Sequence, residues 1–134
     1  MGINPSIIVL RSDKPLEESI FRKISLFCNV KPECVIENRT LQNLYEAPLM
    51  LEKSEFSDVV CRELHIDVPK PELSDWVQMV ERIRNRSEEV HIGLVGKYVK
   101  LHDAYLSVAE AMSHAGYELN TFVRIHWIDS ENIT

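Results

Sequence analysis

The sequence predicts an α/β protein built on parallel sheets, divided into two halves that each look incomplete. Three observations carry this. Ile7-Ile8-Val9-Leu10 is an unbroken apolar run of the kind a parallel strand shows when both its faces are covered. Strand-like and helix-like stretches then alternate along the chain. Residues 90–128 read as strand, helix and strand, the pattern of one parallel crossover. The 134 residues suffice for one ordinary domain or for pieces of two. A composition of 45% hydrophobic and 27% charged residues belongs to a folded chain rather than a disordered one.

The elements follow in order. After the first strand, Arg11-Ser12-Asp13 is polar and Pro15 stands where a helix can begin, so residues 16–23 (LEESIFRK) are a short helix candidate. KISLFCNV, residues 23–30, then predicts a second, buried strand, because Ile24, Leu26, Phe27 and Val30 leave little polar face. Lys31-Pro32 breaks it, and Val35-Ile36 opens a shorter third strand. Residues 40–65 read as helices. Leu41, Leu44 and Tyr45 share one face, Pro48 interrupts or restarts the pattern, and Phe56, Val59, Val60 and Leu64 share a later face.

VPKPEL, residues 68–73, has two prolines and no period, as a linker should. Ser74 is placed to cap an amphipathic helix reaching about Arg84, with Trp76, Val80 and Ile83 on its apolar side. A polar joint follows. VHIGLVG is then a strand, DAYLSVAEAMSHAG a helix with Asp103 at its N-cap and Gly116 closing it, and FVRIHWI another strand. The two partial sheets suggest a connecting segment of a longer chain.

Several functions are disfavoured. A net charge of −6 argues against general nucleic-acid binding, which uses a basic face. No run is apolar enough to span a bilayer. Cys28, Cys34 and Cys61 lack metal-type spacing and read as free thiols, Cys28 packed inside its strand. The histidines show no His-x-x-x-His pair, so the expectation is no metal site. The Met1-Gly2-Ile3-Asn4-Pro5-Ser6 opening and the sequons at Asn38, Asn85 and Asn132 read as coincidences. GLVGKY is too short between its glycines for a phosphate loop, and Tyr98 stands where the magnesium-binding hydroxyl would be. It reads as a strand ending in a tight turn, with Lys97 on the surface. His102-Asp103 could pair as acid and base, although a helix cap explains Asp103. Lys23 at the mouth of a strand could neutralise an anion, although a solvated lysine is the simpler reading.

GINPSIIVLRSDKPL, RKISLFCNV, NLYEAPLML and HIGLVGKYVKLHDAYLSVAEAMSHAG together resemble, in order and over essentially the whole chain, the CTP synthase family. The resemblance implies an internal segment. Residues 1–66 would be the end of the P-loop-type amidoligase domain, 67–89 the interdomain linker, and 90–134 the βαβ start of a class I glutaminase domain, both of three-layer α/β type. It implies ATP-dependent amination of UTP to CTP with ammonia from glutamine, GTP as effector, a homotetrameric cytoplasmic parent, and ATP and Mg2+ with magnesium ligands outside these residues. Lys23 matches a lysine contacting UTP and, as inhibitor, CTP. Phe27 matches an aromatic of the inhibitor's base pocket, with core packing as its structural alternative. Arg39, Thr40 and Leu41 fall where ATP adenine is held through main-chain atoms, with Thr40 in place of a frequent aspartate. Lys97 and Asp103 lie in the region tied to GTP activation, where Leu106 replaces a lysine of some relatives. The implied segment holds no catalytic residue and should be inactive alone. The competing expectation is a stand-alone, non-catalytic nucleotide-binding or assembly module of the same descent.

Overall fold

A computed structural model describes residue 2 and residues 4–133. Met1 and Ile3 of the opening motif and Thr134 of the last sequon lie outside the described residues. The chain divides into two compact units, one running to Ser74 and the other from Asp75.

In the first unit, β1 (Ile8–Ser12) and β2 (Val35–Arg39) form a two-stranded parallel sheet, with Ile8 opposite Val35 and Ser12 opposite Arg39. The crossover between them is helix α1 (Glu18–Cys28). The strand expected over 23–30 is therefore corrected to a helix, which begins three residues after Pro15. Phe21, Ile24 and Ser25 turn inward at helical spacing, and nothing between Glu18 and Cys28 breaks the pattern. Asn29 ends it in the left-handed region (φ 52°), donating its backbone N–H to the Ser25 carbonyl. Leu26 and Phe27, which made the run look buried, remain 79% and 83% exposed. Cys28 is exposed on the same helix, a second correction.

Two further helices, α2 (Ala47–Lys53) and α3 (Phe56–Glu63), complete the unit. Pro48 sits in the first turn of α2, where its missing N–H costs nothing, so it restarts the pattern. The helical face expected at 41–45 shrinks to one 3₁₀ turn, Leu44–Glu46, with Leu44 79% exposed. Glu55, at φ 52°, separates α2 from α3. His65, at φ 56°, closes α3, with the Ile66 N–H reaching the Cys61 carbonyl at 2.8 Å. Val59 on α3 and Ile36 on β2 meet in the core with Cys34. Ile7, Val30, Leu51 and Phe56 pack around them.

An ion pair ties α3 to the turn before β2. Lys31 Nζ lies 2.7 Å from Glu63 Oε1, and the buried Cys34 Sγ donates to that same oxygen at 3.7 Å. The hydrogen bond from Lys31 holds the Glu63 carboxyl below its usual range, and the same bond raises the lysine. A lowered carboxylate stabilises the fold above its unfolded titration range and loses that contribution as pH falls. A raised lysine keeps its contribution until strongly alkaline pH. Stability of this unit should therefore drop on acidification below about pH 4. Glu63→Gln should reduce that drop, as urea midpoints at neutral and acid pH will show; an equal drop in both proteins would refute the assignment.

In the second unit, α4 (Ser74–Arg84) leads into β3 (Glu88–Gly96), α5 (Leu106–Glu118) and β4 (Thr121–Asp129). β3 and β4 pair in parallel from Glu88 opposite Thr121 to Gly96 opposite Asp129. The strand, helix and strand expected here are present. The Ser74 hydroxyl and N–H both donate to Glu72, which lowers that carboxyl. Val80 and Ile83 are the buried side of α4. Arg86 lies over the Tyr117 and Phe122 rings at 4.8 and 4.2 Å and donates to the Ile83 carbonyl at 2.9 Å, fixing the joint before β3.

Both expected ends of α5 are corrected. Asp103 lies inside a 3₁₀ turn, His102–Tyr105, that precedes the helix and has no side-chain cap. Gly116 is buried within α5, which continues to Glu118, and Asn120 (φ 56°) makes the left-handed turn into β4.

Candidate functional site

In parallel α/β sheets, ligands meet the chain beyond the carboxyl ends of strands. The first unit places Arg39, Thr40 and Leu41 at such an end, and the second places Lys97 there.

In the first unit, β1 and β2 end together at Ser12 and Arg39. Thr40 follows, its N–H donating to the Ser12 carbonyl at 2.8 Å and its hydroxyl to Asp13 Oδ1 at 2.6 Å. The Thr40 side chain thus locks the two strand ends together. Arg11 Nη1 adds bonds to Asn38 Oδ1 at 3.2 Å and to the Arg39 carbonyl at 3.4 Å. Glu37 Oε1 accepts from the Leu16 N–H at 2.8 Å and holds the loop leading to α1. Leu41 is half-buried beside them. Arg11, Asp13 and Glu37 were not singled out in the sequence. Their signal is position alone, at or next to strand ends.

Lys23 and Phe27 sit elsewhere, one helical turn apart on the solvent side of α1. The correction from strand to helix changes their meaning. Phe27 does not pack into the core of this unit, with 83% of it exposed. Lys23 is exposed on the helix instead of guarding a strand mouth, while its neighbour Arg22 is paired with Glu18 at 2.6 Å. The face offers a cation and an aromatic side by side, which suits an anionic ligand with a flat ring.

In the second unit, β3 ends at Gly96, and Lys97 and Tyr98 make a tight turn with Tyr98 at φ 58°. The turn is built against Tyr105, whose hydroxyl donates to the Lys97 carbonyl at 2.6 Å. A Cβ on Gly96 would collide with that hydroxyl and lie 2.9 Å from the ring's Cζ, so any larger residue there would displace Tyr105 from the turn. Lys97 Nζ faces Glu131 Oε1 at 3.6 Å. Asp103 is exposed in the following 3₁₀ turn. His102 is not an acid–base partner for it: its ring stacks on Trp127 at 4.5 Å, and Tyr105 meets the same Trp127 edge-on at 6.0 Å.

Two shallow depressions, of about 380 and 350 Å³, lie apart from these residues. One is lined by Gln78, Glu81, Arg82, Asn85 and Asn120, the other by Ser25, Leu26, Asn29, Val30 and Lys31. Cys34 is no nucleophile candidate, since burial pushes its thiol up and Glu63 adds to the effect. Among the described residues, no group of three or more His, Cys, Asp and Glu side chains is placed to hold a metal. None of their helices is long and apolar enough to cross a membrane.

Comparison with known proteins gives a consistent result. Residues 1–66 match the family model described as CTP synthase N-terminus. The whole chain is 49% identical, over 134 residues, to a CTP synthase of Listeria innocua. Over 133 residues it is 50% identical to CTP synthases of Symbiobacterium thermophilum and Clostridium beijerinckii. It spans about a quarter of the length of these curated relatives, 25% in each case.

Proposed function

We propose that the chain is a segment of a CTP synthase, carrying nucleotide-site residues, an interdomain linker and the start of a glutaminase domain. The observation that carries this reading is the unbroken similarity, near one residue in two, from the first unit through the second. The parent would be a cytoplasmic homotetramer that aminates UTP to CTP, using ATP with Mg2+ and ammonia from glutamine, under GTP activation. Phosphorylating the uracil 4-oxygen makes it a leaving group, and ammonia kept from water stays an unprotonated nucleophile.

Within that parent, Lys23 would neutralise a UTP or CTP phosphate and Phe27 would lie against the base. Their joint exposure on one face of α1 supports the pairing. Main-chain atoms of Arg39, Thr40 and Leu41 would receive the adenine. Because the Thr40 N–H and hydroxyl are engaged with Ser12 and Asp13, that contact falls to the remaining main-chain groups. Lys97 and Asp103 would respond to GTP from the loop beyond β3.

A chimera tests the reading: the matching quarter of the Listeria innocua enzyme is replaced by these 134 residues. It should form CTP from UTP, ATP and glutamine, and Lys23→Ala should raise its KM for UTP about tenfold, the loss of one charged hydrogen bond. A folded chimera without CTP formation would overturn the function, and an unchanged KM would overturn the role of Lys23. The 134 residues alone contain neither a G-x-x-x-x-G-K-[ST] loop nor a nucleophile elbow, so they should catalyse neither half-reaction. Turnover of UTP or glutamine by the purified chain would refute that part.

A further inference from the structure

We propose that His91 and His126, on neighbouring strands of the second unit, form a surface site for a divalent transition cation of the zinc type. In sequence they are 35 residues apart and show no metal-ligand spacing. The parallel register sets Gly93 opposite His126 and Arg124 opposite His91, so both histidines stand on the same face of the sheet, two residues apart along it. Gly93 has no side chain to come between them. His91 Nδ1 and His126 Nε2 are 2.6 Å apart, with the rings stacked at 4.9 Å between centroids.

The surroundings prepare His91 as a ligand. Its other nitrogen, Nε2, faces Glu89 Oε1 at 3.0 Å, an arrangement that favours the tautomer in which Nε2–H donates to the carboxylate and Nδ1 keeps its lone pair toward His126. A carboxylate on the far nitrogen is the usual support of a metal-binding imidazole, fixing its tautomer and raising its basicity. Two imidazoles bound to one tetrahedral zinc hold their nitrogens about 3.3 Å apart, given Zn–N bonds of about 2.0–2.1 Å. The pair is already within 1 Å of that spacing. Both rings are exposed. For both to bind one cation, the His126 ring carries its proton on Nδ1 instead of Nε2, and the 2.6 Å contact opens so that the two lone pairs share a ligand point. Glu89 contacts the opposite side of His91, so it orients the site without joining it. Water would complete the coordination.

One group opposes the cation. Arg124, in register with His91, places Nε 3.2 Å from Glu89 Oε2. Its positive charge weakens a nearby cation and competes for the supporting carboxylate. Removing it should strengthen binding, which a merely structural role for the cluster would not predict.

Titration calorimetry of the 134-residue chain with zinc chloride tests the site. One equivalent should bind. His91→Gln and His126→Gln should each lower the association constant at least tenfold, and Arg124→Gln should raise it. Imidazole proton resonances of His91 and His126 should shift together as zinc is added. Absence of zinc uptake, uptake that survives in the His91→Gln/His126→Gln protein, or resonance shifts confined to His65, His102 and His114 would each overturn the proposal.

Discussion

Replacing Ile36 with alanine should remove about 3 kcal/mol from the stability of the first unit. Ile36 is 2% exposed and lies in the core with Cys34 and Val59, with Ile7, Val30, Leu51 and Phe56 packed around the cluster. Truncation removes the transfer energy of its buried carbons and leaves a cavity. The sheet that carries it cannot close around the gap, since β2 is tied along its length to β1. A unit of this size has a total stability of only about 4–10 kcal/mol, so the loss is a large fraction of it. Ile36→Val, which removes one methylene, should cost about 1 kcal/mol. Urea unfolding of the two variants should show this graded series. A loss below about 1 kcal/mol for the alanine protein would mean that the cluster is not a packed core.

Gly116→Ala should destabilise the second unit by about 2 kcal/mol, although alanine is the better helix former. The two effects oppose each other. Glycine in a helix interior costs up to about 1 kcal/mol relative to alanine, so propensity alone predicts a gain. Steric overlap predicts a loss of about 1–3 kcal/mol. The overlap should win because of what the new Cβ meets: the Thr121 carbonyl oxygen at 2.6 Å and Val123 Cγ2 at 2.9 Å. The first is backbone, held at the start of β4, and cannot swing aside. Relief would require α5 to move away from β4, exposing the face they bury between them. Hydrogen exchange should show faster opening of α5, β3 and β4, with amides of the first unit unchanged. A more stable variant would show that α5 is free to shift.

Local signals were sufficient wherever one short stretch decided the outcome. The run at Ile7–Leu10 marked β1, the prolines at 69 and 71 marked a break, and Trp76, Val80 and Ile83 marked the buried side of α4. The turn after β3 was legible from Gly96-Lys97-Tyr98. The same reasoning failed over 23–30, where an apolar run without alternation fits a buried strand or a helix equally well. Packing decided for the helix. On the helix, Phe21, Ile24 and Ser25 lose exposure, while Leu26 and Phe27, apolar as they are, are left in solvent. Gly116 and Asp103 misled for a related reason. Each is a common terminator or cap, but Gly116 is needed for close approach to β4, and Asp103 falls in a turn that the helix does not extend.

The candidate sites divide in the same way. Lys23, Phe27, Arg39, Thr40, Leu41, Lys97 and Asp103 could be named from a resemblance carried by the residues themselves. That Lys23 and Phe27 share an exposed helical face, and that Thr40 is bonded to Asp13, required the fold. By itself the sequence determined the α/β class, the positions of most helices and strands, and the family likeness, because each is written in neighbouring residues. The tertiary structure alone decided which distant residues meet: Thr40 with Asp13, Lys31 with Glu63, and His91 with His126. Strand pairing and crossover join positions tens of residues apart, and no local period encodes that distance.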